Sequence, residues 1–516
     1  MTDLGFWRLA QADPDRIALV DPDGQPHTAG DLLGAANGLV HALRAAGLER
    51  GDTVATVLPN GVEMVETWLA AMQAGWYLTP INHHLVEAEI AYILRDSDAK
   101  ALIAHERFAA EAGPAADDVG LPAAGRIAVG AVEGFRDWDG LLAEQPATTP
   151  EGRTAGAPMH YTSGTTGKPK GVKRGLVDMD PDELGALYSM FLMLFGVQPG
   201  EGNVHITGSP LYHTAVLLWT GNSLHMGHQV VLMDKWTPES MLELIERHGV
   251  TTSHMVPTQF HRLLALPDDV RARYDVSSLR CMVHAAAPCP PEIKRRMIEW
   301  WGDAVMEYYA ATEGGGSIVT AKEWLARPGT VGKAWAGSEL RILDDEGNQL
   351  PPGEIGTVYM ALAQANFEYK GDPDKTAANR RDGFFTVGDV GYLDADGYLF
   401  LCDRKSDMII SGGVNIYPAE IEGVLLTHPK VGDAAVFGIP HPDWGEEIKA
   451  VIEPAPGVGP DEDLRDDLFS FCHGRLAKFK TPKSIDFIAE MPRDPNGKLY
   501  KRKLRDPYWE GKERAI

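Results

Sequence analysis

The sequence predicts an α/β fold, with a large N-terminal domain of layered helices and parallel strands and a small α+β C-terminal domain. Over the first four-fifths of the 516 residues, helical apolar spacing alternates with short apolar strand candidates, a pattern typical of parallel sheets covered by helices. From about residue 385, short apolar segments lie among Gly and Asp turns, which favours antiparallel strands. A charged stretch at 403–405 separates these two sequence patterns. We therefore expect domains at 1–403 and 404–516.

Apolar spacing also predicts individual elements. Residues 32–43 and 293–301 repeat at helical spacing, and Pro290 and Pro291 would begin the second of these helices. Residues 187–197 form the longest apolar run, which we interpret as a buried helix that could line a pocket. Residues 112–125, rich in Ala, Gly and Pro, indicate a surface loop. The strand candidates are 101–104, 230–233, 252–256 and 281–284.

Charge and cysteine content exclude several classes of protein. The formal net charge is -25, which disfavours nonspecific binding to nucleic acid or to anionic membranes. The longest apolar run is far too short to span a bilayer, and the N-terminus lacks the apolar core of a signal peptide. The four cysteines form no CxxC pair and no cluster with zinc spacing. We expect a reduced cytoplasmic protein with no nucleic-acid partner and no stable membrane insertion.

The segment YTSGTTGKPKG at 161–171 has the composition of a phosphate-binding loop. Glycines let backbone N–H groups approach an anion, hydroxyls donate hydrogen bonds, and lysines supply charge. Only two residues separate Gly164 from Gly167, so the segment does not fit the Walker pattern. The alternative, a flexible linker, does not account for the Lys-Pro-Lys-Gly ending. The predicted phosphate-binding residues are Thr162, Ser163, Gly164, Thr165, Thr166, Gly167, Lys168 and Lys170.

Further motifs follow in a fixed order along the chain. They are PLYH at 210–213, AAP at 286–288, YAATE at 309–313, TVGD at 386–389, Arg404, SGGVNIYP at 411–418, and PR with GK and KR between 492 and 502. With the phosphate-binding segment, this order resembles the adenylate-forming superfamily, and within it the acyl-CoA synthetases and fatty-acid–CoA ligases. The resemblance covers nearly the whole chain. It implies a small β-barrel within the large domain and a mobile C-terminal domain.

The resemblance implies an ATP-dependent ligase that attaches a carboxylic acid to AMP and then to coenzyme A. Thr162 and Glu313 would bind Mg²⁺, and Thr312 would reach the α-phosphate. The other implied ATP contacts are Ala287 and Tyr309 at adenine and Asp389 and Arg404 at ribose. Taken singly, Tyr309 would more often be a core residue, and Asp389 would be an ordinary turn residue.

The C-terminal motifs imply the remaining chemistry. Lys498 would be the catalytic lysine, although alone it would be interpreted as a solvated lysine in a basic run with Lys501. Gly412 and Gly413 would line the tunnel for coenzyme A. Trp444 would stack on its adenine, and a buried interdomain tryptophan is an equally good interpretation. The small domain would rotate at 404–406, where the family usually has Asp or Lys and this chain has Ser406.

Two residues bear on the acid. His213 stands where the family has a pocket or gate residue, and a structural histidine is the alternative. Ala310 replaces the usual glycine of the YGxTE motif, which leaves room for an acid larger than acetate or propionate. A medium or long fatty acid, an aryl acid or a polycyclic acid would each fit.

Other functions stay open at this point. An adenylating enzyme that delivers its acyl group to a carrier protein or an amine is the main alternative. A luciferase-like oxidative enzyme differs only in the fate of the adenylate. A noncatalytic nucleotide sensor is disfavoured because Glu313, Asp389, Arg404 and Lys498 are all present. Small-molecule acid and coenzyme A are the expected partners, and we consider a homodimer.

Overall fold

The structure is a computed structural model that describes residues 4–162, 169–200, 202–362, 367–493 and 498–511. Its α-helices, in chain order, are α1 Phe6–Ala12, α2 Ala29–Ala45, α3 Val62–Ala74, α4 Glu87–Asp96, α5 Ala109–Asp118, α6 Trp138–Ala143, α7 Pro181–Met193, α8 Thr214–His225, α9 Pro238–His248, α10 Pro257–Leu264, α11 Asp268–Arg271, α12 Pro291–Trp301, α13 Ala321–Ala326, α14 Pro373–Ala378, α15 Pro418–Leu425, α16 Glu462–His473 and α17 Lys501–Arg505. Among the described residues, no helix is long and apolar enough to cross a membrane.

The strands alternate with these helices in the first part of the chain and follow one another closely after residue 305. They are β1 Ile17–Val20, β2 Pro26–Thr28, β3 Thr53–Val57, β4 Tyr77–Pro80, β5 Ala99–His105, β6 Arg126–Val129, β7 Arg136–Asp137, β8 Ala157–Pro158, β9 His160–Thr162, β10 Lys170–Lys173, β11 Val204–Thr207, β12 Gln229–Leu232, β13 Thr252–Met255, β14 Cys281–His284, β15 Val305–Ala310, β16 Gly316–Thr320, β17 Thr330–Ala334, β18 Ser338–Leu343, β19 Gly356–Leu362, β20 Glu368–Tyr369, β21 Arg380–Arg381, β22 Phe384–Phe385, β23 Asp389–Leu393, β24 Leu399–Arg404, β25 Ile409–Ser411, β26 Val414–Ile416, β27 Val431–His441, β28 Gly445–Pro454 and β29 Ser484–Phe487.

The chain divides into two compact units. The first comprises Met1–His254, Asp269–Met282 and Gln364–Ala378. It contains a parallel sheet in the order β7-β6-β5-β3-β4-β8 and a second set of strands in the order β2-β1-β12-β11-β13. Every residue of β3 is buried, as expected for a strand covered on both faces. A small antiparallel sheet, β20-β10-β9, completes the unit.

A buried histidine ties the N-terminal helix of the first unit to its core. The ring of His225 lies 5.4 Å from that of Trp7 and 5.3 Å from that of Trp68. Its Nδ1 accepts a hydrogen bond from the backbone N–H of Phe6 at 3.0 Å. Burial lowers the pKa of His225 to about 3. The neutral ring therefore satisfies the first amide of α1 without placing a charge in the core.

The second unit comprises Met255–Asp268, Val283–Ala363 and Asn379–Ile516. Its antiparallel strands pair in the order β15-β16-β17-β24-β23-β19-β22-β21, and β18 pairs with β19. A second sheet, β26-β25-β28-β27 with β29 parallel to β28, belongs to the C-terminal region. Apolar residues of α15 and α16 pack against this sheet around Val436 and Ile452.

Most predicted elements are confirmed, and so is the mixed α/β class. The predicted helices correspond to α2 and α12, and the four strand candidates correspond to β5, β12, β13 and β14. The predicted loop at 112–125 is wrong, because α5 covers much of it. Its alanines have high helix propensity, and three of them are buried. The boundary at residue 404 and the mobility of the small domain stay predictions.

The helix predicted at 187–197 exists as part of α7, but it is buried on one side only, where Ser189 and Leu192 lie. Leu187, Tyr188 and Met190 are 51%, 43% and 42% exposed. The apolar run does not distinguish a buried helix from one that shows an apolar face to solvent. Beyond the helix, Phe195 and Val197 line a small cavity of the first unit.

A buried carboxyl in α3 gives the first unit a pH-dependent stability. Glu66 is 7% exposed, and burial raises the pKa of Glu66 to about 8, with further contributions from Glu63, Asp139 and Asp31. Because the folded-state pKa lies above the unfolded-state value, the neutral carboxyl stabilises the fold at low pH. That contribution is lost as the pH rises toward 8.

We therefore expect Glu66→Gln to be more stable than the wild type at pH 8 and nearly equal to it at pH 5. Between those values the difference in the free energy of unfolding should grow by up to about 1.4 kcal/mol per pH unit. The melting temperatures of both proteins, measured from pH 5 to pH 8, test this. Glu87→Gln, at an exposed position of α4, is the matched control. A constant difference across this range would contradict the assignment.

Candidate active site

Strand β15 and the turn after it carry four of the predicted site residues. Tyr309 and Ala310 are the last two residues of β15, where Tyr309 is half-buried and Ala310 is exposed. Thr312 and Glu313 follow in the turn, and Glu313 is 5% exposed. The end of β15 and the turn after it therefore carry an aromatic ring, a hydroxyl and a buried carboxylate close together in the chain.

Asp389 is the centre of a polar cluster in the second unit. It begins β23, and Arg404 ends β24 at the directly opposite position of this antiparallel pair. The Tyr309 hydroxyl donates a hydrogen bond to Oδ2 of Asp389 at 2.6 Å. The Arg404 Nε lies 3.5 Å from the other carboxylate oxygen. Three predicted nucleotide-binding residues from separate parts of the sequence thus meet at one carboxylate.

The charges in this cluster include Lys498. Burial raises the pKa of Asp389, while Arg404, the hydrogen bond from Tyr309 and the charge of Lys498 oppose the rise. Burial and the Asp389 carboxylate also hold the pKa of the Tyr309 phenol well above its ordinary value, with a smaller contribution from Glu313. Tyr309 therefore keeps its proton at neutral pH and acts as the donor. Arg404 and Lys498 thus act on the charge of Asp389, and Arg404 and Glu313 act on the Tyr309 phenol.

The turn predicted at the adenine has an unusual backbone. Ala286, just before Ala287, has a φ of 72°, which lies in the left-handed region that favours glycine. Ala287 itself is partly exposed. On the N-terminal side, the Ala285 N–H donates to the Met255 carbonyl at 3.2 Å. A side chain or ligand facing this turn would meet a defined but strained backbone.

The chain on both sides of Lys498 is anchored to the C-terminal region. Arg493 Nη2 lies 2.7 Å from Asp433 Oδ1, and Arg493 forms an antiparallel bridge with Leu499. The Tyr500 N–H donates to the Pro492 carbonyl at 2.8 Å. These contacts hold Pro492, Arg493, Leu499 and Tyr500 in the C-terminal region, and Lys498 directly precedes the bridged residue Leu499.

A buried ion pair holds the helix that follows. Lys501 Nζ lies 2.7 Å from Glu422 Oε1, and their side chains are 11% and 15% exposed. The Glu422 carboxylate also accepts from the Val436 N–H at 2.7 Å. Burial alone would lower the pKa of Lys501, but Glu422 and the neighbouring carboxylates raise it. Lys501, which the sequence places in a basic run after Lys498, is therefore a largely buried anchor. No pattern in the sequence pairs it with α15.

The segment predicted as a hinge has an ion pair one residue beyond Ser406. Arg505 Nη1 lies 3.7 Å from Asp407 and donates to the Ser406 carbonyl at 3.4 Å. The Lys405 N–H donates to the Gly388 carbonyl at 2.8 Å, which joins this segment to the residue before Asp389. Asp407 thus supplies the charge that Ser406 lacks, and rotation here stays a prediction.

The predicted phosphate-binding segment belongs to the first unit and is described only at its ends. Thr162 in β9 and Lys170 in β10 are register partners, so the residues between them connect two antiparallel strands. Lys170 Nζ lies 3.6 Å from Asp372. The Thr162 side chain lies outside the described residues, and so do Ser163, Gly164, Thr165, Thr166, Gly167 and Lys168. Their role in phosphate binding stays a prediction.

The predicted acyl-pocket residues are divided between the units. His213 precedes the first residue of α8, and its ring centre lies 5.0 Å from that of Tyr212. The His83 ring lies 5.2 Å from that of Tyr212. Ala310 belongs to the second unit. The acyl pocket stays a prediction.

The predicted residues for coenzyme A lie on the C-terminal sheet. Gly412 and Gly413 form the two-residue turn between β25 and β26, with φ values of 58° and 79°, which suit glycine. The Gly412 N–H donates to the Trp444 carbonyl at 2.9 Å. Trp444 is 48% exposed, so the interpretation of a buried tryptophan is wrong. Its ring stacks on His441 at 4.8 Å, and Lys483 Nζ lies 5.9 Å from it.

Comparison with protein families matches two regions of the chain. The family model of the AMP-binding enzyme matches residues 6–366, and that of the AMP-binding enzyme C-terminal domain matches residues 420–498. Together they contain most of the residues described above. Arg404 and the segment after it lie between the two matched regions.

Similar proteins of full length act on different acids. The chain is 33% identical to the fatty acid–[acyl-carrier-protein] ligase ScoC of Streptomyces coeruleorubidus, over 98% of this chain and 96% of the relative. It is 34% identical to feruloyl-CoA synthase of an Amycolatopsis species, over 97% and 98%. The solved o-succinylbenzoate CoA synthetase of Bacillus subtilis, in complex with its acyl-adenylate, is 30% identical with a TM-score of 0.81, over 98% of each chain.

The Lys501–Glu422 pair gives a test of how the C-terminal segment is held. Lys501→Met leaves Glu422 buried without its cation, so we expect the free energy of unfolding to fall by about 3–5 kcal/mol. Lys503→Met, at an exposed position of the same helix, should change it by less than about 0.5 kcal/mol. Denaturant unfolding of the two variants measures this. Equal effects would show that the buried pair does not anchor α17.

Proposed function

Because the chain belongs to the family of AMP-binding enzymes, we propose that it is an ATP-dependent acyl-CoA synthetase, an acid–thiol ligase. In the first step a carboxylate oxygen attacks the α-phosphorus of ATP, and the bond to the β-phosphate oxygen breaks to release pyrophosphate. In the second step the sulfur of coenzyme A attacks the acyl carbon, and AMP leaves. Each step replaces one bond to the reacting centre, and no oxidant is required.

One observation carries the proposal: the Asp389 carboxylate is held between Tyr309 and Arg404, and the charge of Lys498 acts on it. A carboxylate fixed in this way suits the two hydroxyls of a ribose, which donate hydrogen bonds to it. Arg404, with its side chain 42% exposed, is available to a ligand oxygen on the same side. The Tyr309 ring, oriented by its hydroxyl, offers a face to adenine beside Ala287.

The proposed adenylation chemistry depends on charge neutralisation, because a carboxylate must approach a polyphosphate. Lys498 would stabilise the negative charge that develops on the α-phosphate oxygens. Thr312, in the turn after the strand of Tyr309, would donate to an α-phosphate oxygen. Lys170 and the segment before it would hold the β- and γ-phosphates. These groups orient the reactants and supply positive charge.

We propose Glu313 and Thr162 as the protein ligands of the magnesium ion that such chemistry uses. Glu313 offers a carboxylate that is 5% exposed, and the Thr162 hydroxyl would complete the protein's oxygen ligands. Mg²⁺ prefers oxygen ligands and retains several waters, so two protein groups suffice. When bound, the ion would neutralise phosphate charge. We propose no further protein ligand for it.

The proposal places coenzyme A at the β25–β26 turn. Gly412 and Gly413 carry no side chain, and nothing would contact a methyl group added at either position, so the pantetheine arm could lie against this turn. Trp444 offers an exposed ring, and Lys483 offers a cation beside it for a phosphate of coenzyme A. The pantetheine would reach the adenylate after the small domain rotates at 404–406.

We propose an acid larger than propionate as the substrate. The exposed Ala310 methyl limits the end of β15 much less than a large side chain would, and His213 would face the acyl group. The relatives named above act on fatty, feruloyl and succinylbenzoyl groups, which supports the broad class of fatty, aryl or polycyclic acids. We also propose that the enzyme is cytoplasmic, in keeping with its free cysteines, and that a homodimer is its assembly.

A carrier protein or an amine is the second candidate for the acyl acceptor. The name of ScoC, a fatty acid–[acyl-carrier-protein] ligase, favours this candidate. The two functions share the first step and differ in the second. They are separated by whether AMP release depends on coenzyme A.

Pyrophosphate release across a panel of acids tests the function. We expect release with at least one medium or long fatty acid, aryl acid or polycyclic acid, and little with acetate. With coenzyme A present, the thiol should disappear in an amount equal to the AMP formed. Release of AMP that requires a carrier protein or an amine instead would favour the second candidate. The absence of acid-dependent pyrophosphate release would contradict the proposal.

Lys498→Ala tests the catalytic lysine. We expect adenylation to fall by about 10²–10³-fold, the usual loss when a group that stabilises transition-state charge is removed. Thioester formation from chemically prepared acyl-adenylate should change much less, because Lys498 would be withdrawn in that step. Lys503→Ala serves as the control. Undiminished adenylation by Lys498→Ala would exclude the proposed role.

A further inference from the structure

A buried ionic network lies beneath the turn predicted at the adenine. Lys294 of α12 is fully buried, and its ammonium group contacts Oε2 of Glu307 in β15. His284 is also fully buried, and its Nε2 lies 3.7 Å from the same oxygen. The ring centre of Trp324 lies 5.1 Å from Lys294 Nζ. A charge this deeply buried is tolerated only with such partners.

The network joins the two chain segments that would hold the nucleotide base. Glu307 precedes Tyr309 by two residues in β15, so the two side chains point to the same face of the strand. His284 is the last residue of β14, and the turn that contains Ala286 and Ala287 follows it. Glu307 therefore links β15, the strand that carries both Glu307 and Tyr309, with His284 at the end of β14, where the turn begins.

The turn needs this support because its backbone is strained. The φ of Ala286 is 72°, and an alanine in the left-handed region is disfavoured relative to glycine because of its Cβ. Nothing about the alanine side chain stabilises that conformation. Such strain persists only where the surrounding structure imposes it. His284, whose Nε2 lies 3.7 Å from Glu307, and Ala285, bonded to Met255, are the neighbouring constraints.

We propose that Lys294 is a positioning residue for nucleotide binding. It holds the Glu307 carboxylate in place. Through His284 this carboxylate keeps the turn at 285–288 in the conformation that receives the adenine. Lys294 does not touch the nucleotide. The inference rests on the proposed function, which assigns the nucleotide to this turn.

A buried pair that only stabilises the fold is the competing explanation. Removal of Lys294 would then lower the melting temperature and leave the affinity of the folded protein for nucleotide unchanged. The two explanations therefore differ in nucleotide affinity at a temperature where the variants are folded. MgATP is a suitable probe because its binding does not require the acid to be known.

The first experiment compares Lys294→Met with Arg295→Met, which replaces the neighbouring cation of α12 by the same apolar residue. In the contacts described, Arg295 pairs only with Glu292, and both side chains are partly exposed. We expect the dissociation constant for MgATP, measured by calorimetry, to rise about tenfold in Lys294→Met, equivalent to about 1.4 kcal/mol. The KM for ATP in pyrophosphate release should rise similarly, with kcat within about threefold of the wild type. Arg295→Met should leave both unchanged.

The second experiment tests the mechanism by rescue. Ala286→Gly removes the penalty of the left-handed backbone, so the turn would no longer need the network to impose it. In the Lys294→Met background, Ala286→Gly should recover at least about threefold in MgATP affinity. If Lys294→Met does not fold, the Lys294→Met/Glu307→Leu pair replaces it, since an apolar pair often preserves stability. The same weakening and the same rescue are expected.

The outcomes separate the inference from the proposed function. Wild-type affinity for MgATP in folded Lys294→Met would overturn the inference, and so would a weakened affinity that Ala286→Gly leaves unchanged. Both results are compatible with the proposed function. A wild-type protein that neither binds MgATP nor releases pyrophosphate with any acid would instead overturn the function, and the inference with it.

Discussion

The candidate site depends on one buried carboxylate. Asp389 is held by the Tyr309 hydroxyl on one oxygen and lies beside Arg404 on the other. Burial of an anion is tolerated only when donors and cations surround it. Because Asp389 and Arg404 face each other across β23 and β24, the sheet register itself provides the pair. Any shift of that register would separate the two side chains and leave the carboxylate without its cation.

Around this carboxylate the protein uses ionic contacts of two kinds. The Lys501–Glu422 and Arg493–Asp433 pairs are largely buried, and they lie on either side of Lys498 in the sequence. Arg404 remains more exposed. Lys498 is only partly buried. The buried pairs thus hold the C-terminal region together, and in the proposed site Arg404 and Lys498 would contact the charged ligand.

The Lys294–Glu307 pair is another buried carboxylate held by a cation close to the candidate site in the sequence. There a buried cation, a carboxylate and His284 lie where a strained turn meets β15. The strained backbone and the fixed charges therefore lie close together, and in the proposed nucleotide site they would preserve the binding geometry without the ligand. His83 and Tyr212, next to His213 in the first unit, form another packed polar group beside a predicted site residue.

The sequence alone determined the mixed α/β class and helices α2 and α12, because these depend on local spacing and residue type, and the family resemblance of its motifs supplied the roles proposed for the site residues. It was wrong for α5, where alanine propensity and burial outweighed the loop-like composition, and for the burial of α7. Only the tertiary structure decided that Tyr309, Asp389, Arg404 and Lys498 share one cluster and that Lys501 is buried. The reason is physical: ion pairs and hydrogen bonds between distant segments depend on how strands and helices pack, and the sequence does not encode those distances locally.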